Sequence, residues 1–155
     1  MLQATFGLAV QQLPGSGAGG GIAGGAAGFL RAHISSAADW VLELTGADQL
    51  LQATDLLITG EGRVDDQTWQ GKLLGKLLAR AAYHAVPVML VCGTLLDVNA
   101  VLADPNVLYA TSIITEPMPL AEALRRTPAL LETQGELLGR LLARGVVPAK
   151  PAPSS

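Results

Sequence analysis

Side chains capable of chemistry are densest between Thr59 and Thr68, where the chain reads Thr-Gly-Glu-Gly-Arg-Val-Asp-Asp-Gln-Thr. Glu61, Asp65 and Asp66 are carboxylates that could hold Mg²⁺ through one or two oxygens, with water completing the shell. Arg63 stands among them and could neutralise a phosphate by a bidentate contact. Gln67 crowds the same short segment, and Gly60 and Gly62 let the backbone turn sharply. The competing reading is a solvated polar loop in which an Asp caps the next helix and Arg63 sits in a salt bridge. Spacing alone does not choose between the two.

A second candidate lies upstream, in Gly15-Ser16-Gly17-Ala18-Gly19-Gly20-Gly21. Gly15, Gly17 and Gly20 formally match G-x-G-x-x-G. A dinucleotide fingerprint also needs a strand just before the loop and an acidic residue about 20 positions on. Pro14 precedes the loop directly, and Asp39 is at no recognisable strand end. The broader chemistry survives, because backbone N–H groups near a helix N-terminus attract a phosphate or carboxylate. The alternative is a flexible or close-packed start to a helix with no ligand.

Other motifs carry less. Gly71-Lys72 resembles a phosphate-loop ending, but Leu73 replaces the required Ser or Thr, and Asp66 stands where the first glycine should be. Lys72 could still reach a phosphate from the start of a helix, or simply face solvent. His33 and His84 are isolated, and Ser35-Ser36 beside His33 builds no triad. Cys92 follows an apolar run and reads as a small core thiol rather than a nucleophile. Trp40 and Trp69 read as packing residues, and Asp97 as a helix cap.

These residues must be held by regular elements. Leu56-Leu57-Ile58 is a short apolar run bounded by glycines and predicts a buried strand, with a polar loop from Thr59. Leu73, Leu74, Leu77, Leu78 and Ala81 repeat at helical spacing, with Lys72, Lys76 and Arg80 on the other face. A second strand is predicted over 86–91, closed by Cys92-Gly93, with Pro87 tolerated among its first residues. A short helix over 97–103 and a third strand over 107–114 follow. A last helix is predicted over about 120–144, kinked or restarted at Pro128 with Thr127 as its N-cap. Residues 2–13 suit a helix or a strand, 22–31 suit a helix, and 40–44 suit either.

Strand alternating with helix implies an α/β fold, a parallel sheet with helices on both faces. Ligands bind such sheets beyond the carboxyl ends of the strands. The expected organisation is part of a glycine-rich second α/β domain over 1–52, a flavodoxin-like or Rossmann-like portion over 53–146, and a disordered tail over 147–155. An unpaired sheet edge invites self-association, so a homodimer or swapped form is expected.

Half of the 155 residues are apolar and only 15% are charged, which excludes intrinsic disorder. The net charge of −3 argues against a nucleic-acid partner. One cysteine excludes a disulfide framework and a multi-cysteine zinc site. No apolar stretch approaches a membrane span of roughly 18 residues, and no Lys or Arg precedes Arg31 to introduce a signal peptide. A cytoplasmic location is the expectation.

The ordered string of motifs resembles one family. Leu13-Pro14-Gly15-Ser16-Gly17-Ala18-Gly19-Gly20-Gly21 is similar to the LPGAGAAGGLG segment of bacterial (type 1) glycerate kinases. Asp55 to Thr68, followed by Gly71-Lys72, resembles their DLVITGEGRID-x-QT-x-x-GK signature, and Val86-Pro87-Val88 with Cys92-Gly93 their VPV–AG strand. Gly19 stands where the family usually has Ala, and Leu74 where it has Pro. Family members are more than twice this length, so the resemblance is to their C-terminal part, without the APDSFKGSL-like start.

The resemblance implies ATP-dependent phosphorylation of D-glycerate, at the 2-hydroxyl, with Mg²⁺, in a cleft between two domains. On that footing Asp65 is a Mg²⁺ ligand or the base for the substrate hydroxyl, and Glu61 is the second carboxylate. Arg63 and Lys72 offset phosphate or glycerate charge. Gly15, Gly17 and Gly20 present N–H groups to an anion, and Gly60, Gly62 and Gln67 complete the binding set. The glycine tract and the acidic–basic segment are expected to converge on one ligand. With the N-terminal half absent, the isolated chain is expected to be inactive. The alternative is a non-catalytic anion- or nucleotide-binding module, or an inactive truncated product.

Overall fold

A computed structural model describes residue 7 and residues 9–65, 68, 72–96 and 98–145. Asp66, Gln67, Gly71, Asp97 and the 147–155 tail lie outside the described residues. The chain divides into two compact units, Met1–Leu44 and Thr45–Ser155, and each is described by itself.

In the first unit a 3-10 turn, Val10–Gln12, leads through a run of turns into helix α1 (Ile22–Leu30), and α2 (Ala37–Leu44) follows. The ambiguous stretch at Trp40 is thus helical. The Ser36 hydroxyl accepts the Asp39 amide at 3.3 Å, which caps the start of α2. Gly15, Gly19, Gly20 and Gly21 all have positive φ, from 61 to 93°. A side chain in that region strains the backbone, so the turns require glycine at these positions. Gly24 serves differently. Its amide donates to Ser16 O at 3.0 Å, and a Cβ there would meet Ser16 O and Val10 Cγ1 at 2.9 Å. Val10, Ala27 and Leu42 are the buried apolar side chains here.

The second unit opens with α3 (Ala47–Gln52) and continues as β1 (Leu57–Val64), α4 (Leu73–Tyr83), β2 (Val88–Leu95), α5 (Val98–Ala103), β3 (Val107–Ser112) and α6 (Leu120–Ala143). The three strands pair in parallel in the order β1-β2-β3. This is the expected α/β architecture. Side chains alternate across a strand, so Val88, Leu90 and Cys92 share one face of β2. They join Leu51, Leu74, Leu78, Ala81 and Val101 in a core supplied by α3, α4 and α5. Met89, Val91 and Gly93 lie on the opposite face, and α6 lines a cavity there together with Val91.

Three local expectations are corrected. β1 does not end at Ile58; it runs through the glycines to Val64, because β2 continues beside it in register (Glu61 with Cys92, Arg63 with Thr94). Likewise β2 runs past Cys92-Gly93 to Leu95. Gly60 and Gly93 therefore serve close strand approach rather than a turn. A Cβ on Gly60 would lie 2.6 Å from Val91 O, and one on Gly93 would fall on Gly62 O. Finally, α6 is continuous through Pro128. Thr127 is no N-cap: its hydroxyl donates to Ala123 O at 2.9 Å, as a Thr inside a helix does. The proline removes one helical hydrogen bond, that to the carbonyl of Leu124.

Candidate functional site

The extension of β1 decides where the signature residues point. Alternation puts Thr59, Glu61 and Arg63 on one side of the strand and Gly60 and Gly62 on the other. Just past the strand, Arg63 Nε lies 3.0 Å from Asp65 Oδ2. The guanidinium is 66% exposed and the Asp65 side chain only 19%, so the pair presents a cation outward and holds its carboxylate inward.

Asp65 is fixed by a residue the motif reading passed over. Its amide donates to Thr68 Oγ1 at 3.0 Å, and the Thr68 amide donates back to Asp65 O at 3.0 Å. Thr68 is buried, and this contact satisfies its hydroxyl. The spacing of Asp and Thr three apart was the available signal, since such pairs close local turns. Lys72 is exposed at the N-cap position of α4, and no side chain caps that helix end.

Beside the strand end lies a cavity of about 470 Å³, lined by Gly60, Glu61 and Gly62 of β1, Val91, Cys92 and Gly93 of β2, Ile113, and Leu124, Thr127 and Leu131 of α6. Ile113 and the α6 wall were not singled out in the sequence. The spacing 124, 127, 131 is nonetheless that of a single helix face. The Ser112 hydroxyl donates to Gly93 O at 2.8 Å, and the Ile114 amide donates to Ser112 Oγ at 3.1 Å, which ties the end of β3 to β2.

Cys92 Sγ donates to Thr111 O at 3.2 Å. Burial pushes its thiol up to about 11, so it is no thiolate nucleophile near neutrality. His84 is likewise structural: Nε2 lies 3.0 Å from Asp48 Oδ1, and Arg80 bonds the other Asp48 oxygen, joining α3 to α4. Among the described residues no cluster of three or more His, Cys, Asp or Glu could hold a metal. No helix among them is long and apolar enough to cross a membrane.

In the first unit, Gly15, Gly17 and Gly20, the residues expected to offer an N–H cradle, lie in the run of turns before α1. The Gly21 amide donates to Gly17 O and Ala18 O, and the Ala18 amide to Gly15 O. Among the described residues, the amides of Gly17, Gly19 and Gly20 meet no backbone carbonyl in this turn network.

The family model for the glycerate kinase family matches residues 1–143. A glycerate kinase of Neisseria meningitidis serogroup B is 38% identical over 135 residues, which is 86% of this chain and 36% of that protein. A glycerate 2-kinase of Escherichia coli K12 is 32% identical over 117 residues, 75% of this chain and 30% of that protein. A solved structure of glycerate kinase 2 from Salmonella typhimurium LT2 superposes with a TM-score of 0.68 at 25% identity, covering 93% of this chain and 37% of that one. The chain thus spans about a third of the length of the relatives it matches.

Proposed function

The chain belongs to the glycerate kinase family, and on that premise we propose that it serves ATP-dependent phosphorylation of D-glycerate to 2-phosphoglycerate. One observation carries this reading. Gly60, Glu61 and Gly62 line a cavity at the carboxyl end of β1, and the same stretch runs on into an Arg63–Asp65 pair whose guanidinium faces outward.

Phosphoryl transfer needs positioning and charge neutralisation more than covalent chemistry. Arg63 uses Nε on Asp65, and its terminal nitrogens face outward to take a phosphate or the glycerate carboxylate. Lys72 adds a second cation at the start of α4. Asp65 takes the proton of the substrate hydroxyl or holds Mg²⁺. In the first unit the amides of Gly15, Gly17 and Gly20 cradle an anion; in the second, Gln67 contributes to substrate or phosphate binding.

Mg²⁺ supplies neutralisation of the phosphate oxygens. It binds proteins through one or two carboxylates plus water and substrate, so the few carboxylates here fit it. Asp65 and Glu61 are the carboxylates that would hold it. A cytoplasmic setting fits the use of ATP. Because the chain spans about a third of its relatives' length, the remaining segment is a required partner for turnover.

The test is phosphorus NMR of D-glycerate with Mg²⁺ and ATP. It is run on the chain alone and with the rest of the Neisseria relative added. Product is expected in the complemented sample, and Asp65→Asn should lower kcat by about 100-fold or more with little change in unfolding midpoint. Undiminished turnover would remove Asp65 from the mechanism. If neither sample binds ATP or D-glycerate, the kinase reading is wrong.

A further inference from the structure

We propose that the cavity between α6 and the β1–β2 strand ends seats the purine ring of the nucleotide, with Gly62 as the surface on which the ring lies. This rests on the kinase reading for the identity of the nucleotide, but its geometry stands separately.

Three glycines floor the cavity, and two are accounted for by the protein itself. Side chains at Gly60 or Gly93 would collide with the backbone of the paired strand. Gly62 has no such reason. A Cβ there would meet nothing within 4 Å, and its φ is not positive. Glycine inside a strand costs roughly 0.5–1 kcal/mol in lost chain entropy and forfeits a side chain that could pack. Nothing in the fold gains from that cost, whereas a flat ligand resting on bare backbone does.

The walls define the ligand's chemistry. Val91, Ile113, Leu124 and Leu131 are apolar, Glu61 is the charged residue of the lining, and no Lys, Arg or His lines the space. A phosphate or the glycerate carboxylate would be desolvated there beside a carboxylate and without a counter-charge, which is unfavourable. A neutral, flat ring has no charge to desolvate. A volume of about 470 Å³ lies in the usual range for ligand pockets.

The experiment titrates the chain with adenosine, ATP, D-glycerate and inorganic tripolyphosphate, monitored by amide NMR. Adenosine and ATP should bind and shift the amides of Gly62 and Gly93. Gly62→Val should weaken both by at least about tenfold, the scale on which a crowded apolar pocket discriminates. Leu124→Trp fills the cavity from the other wall, at a helix position 66% exposed. It should weaken adenosine and ATP likewise and leave the affinity for D-glycerate and tripolyphosphate unchanged; it decides the matter if Gly62→Val does not fold. The inference is overturned if adenosine does not bind the parent chain, or if the folded variants keep parental adenosine affinity. Tripolyphosphate and D-glycerate binding without adenosine binding overturns this inference and spares the kinase reading. Adenosine binding that both variants lose, with no turnover in the complemented assay, supports this inference and removes the kinase.

Discussion

The two units use glycine for opposite physical reasons. In the tract of the first unit, Gly15, Gly19, Gly20 and Gly21 occupy positive φ, and the backbone itself demands them. In the sheet of the second unit, Gly60 and Gly93 have ordinary extended conformations, and the neighbouring strand demands them. Among the described residues the first unit buries the apolar side chains Val10, Ala27 and Leu42, while the second has a continuous core across β2, α3, α4 and α5. The glycine loop is shaped by local torsion; the glycine strand is shaped by packing. A motif rich in glycine is therefore informative only once each position's reason is known.

Substitutions sharpen that contrast. The largest effect belongs to Gly93→Ala, whose Cβ would overlap Gly62 O. Strand separation should cost about 3 kcal/mol, the upper end for overpacking, read as a lower midpoint in urea unfolding of the second unit. A cost under about 1 kcal/mol would mean that the strands part easily, and the contrast would fail. Gly21→Ala comes next. With φ of 93° and open space around the Cβ, it should cost about 1–2 kcal/mol through torsion alone, visible as faster amide exchange in α1 and nowhere in β1.

The smallest effect concerns pH. The hydrogen bond from His84, with Arg80 beside it, holds the Asp48 carboxyl below its ordinary value of 3.8. A carboxylate with a depressed folded pKa stabilises the fold above its unfolded pKa and loses that contribution as pH falls through the folded value. The second unit should therefore weaken slightly as pH drops below about 4, and Asp48→Asn should flatten that part of the profile. An unchanged acid limb in the variant would separate α3–α4 docking from this ion pair.

Much of this was legible from residues alone. The apolar runs at Leu57, Val88 and Val107 gave three parallel strands, and the 73–81 periodicity gave α4. The boundaries at Ile58, Gly93 and Pro128 were misread for one reason. Glycine and proline signal a break locally, and here tertiary pairing overrides the signal. The sheet register holds Gly60 and the residues on either side of Gly62 extended, and the length of α6 absorbs one missing hydrogen bond. Thr68 carried a local signal, its spacing from Asp65, that was passed over, whereas the α6 wall of the cavity was hidden because its role exists only after the chain has folded back on itself.

The alternation along β1 has one more consequence. A one-residue slip of a strand exchanges its two faces, and for β1 it would turn Leu57 away from the core it packs against and carry Arg63 toward the apolar α6 wall, where its charge would lose water without gaining a partner. Fidelity of assembly and fidelity of chemistry then have the same guardian: the register that buries Leu57 is the one that leaves Arg63 in water.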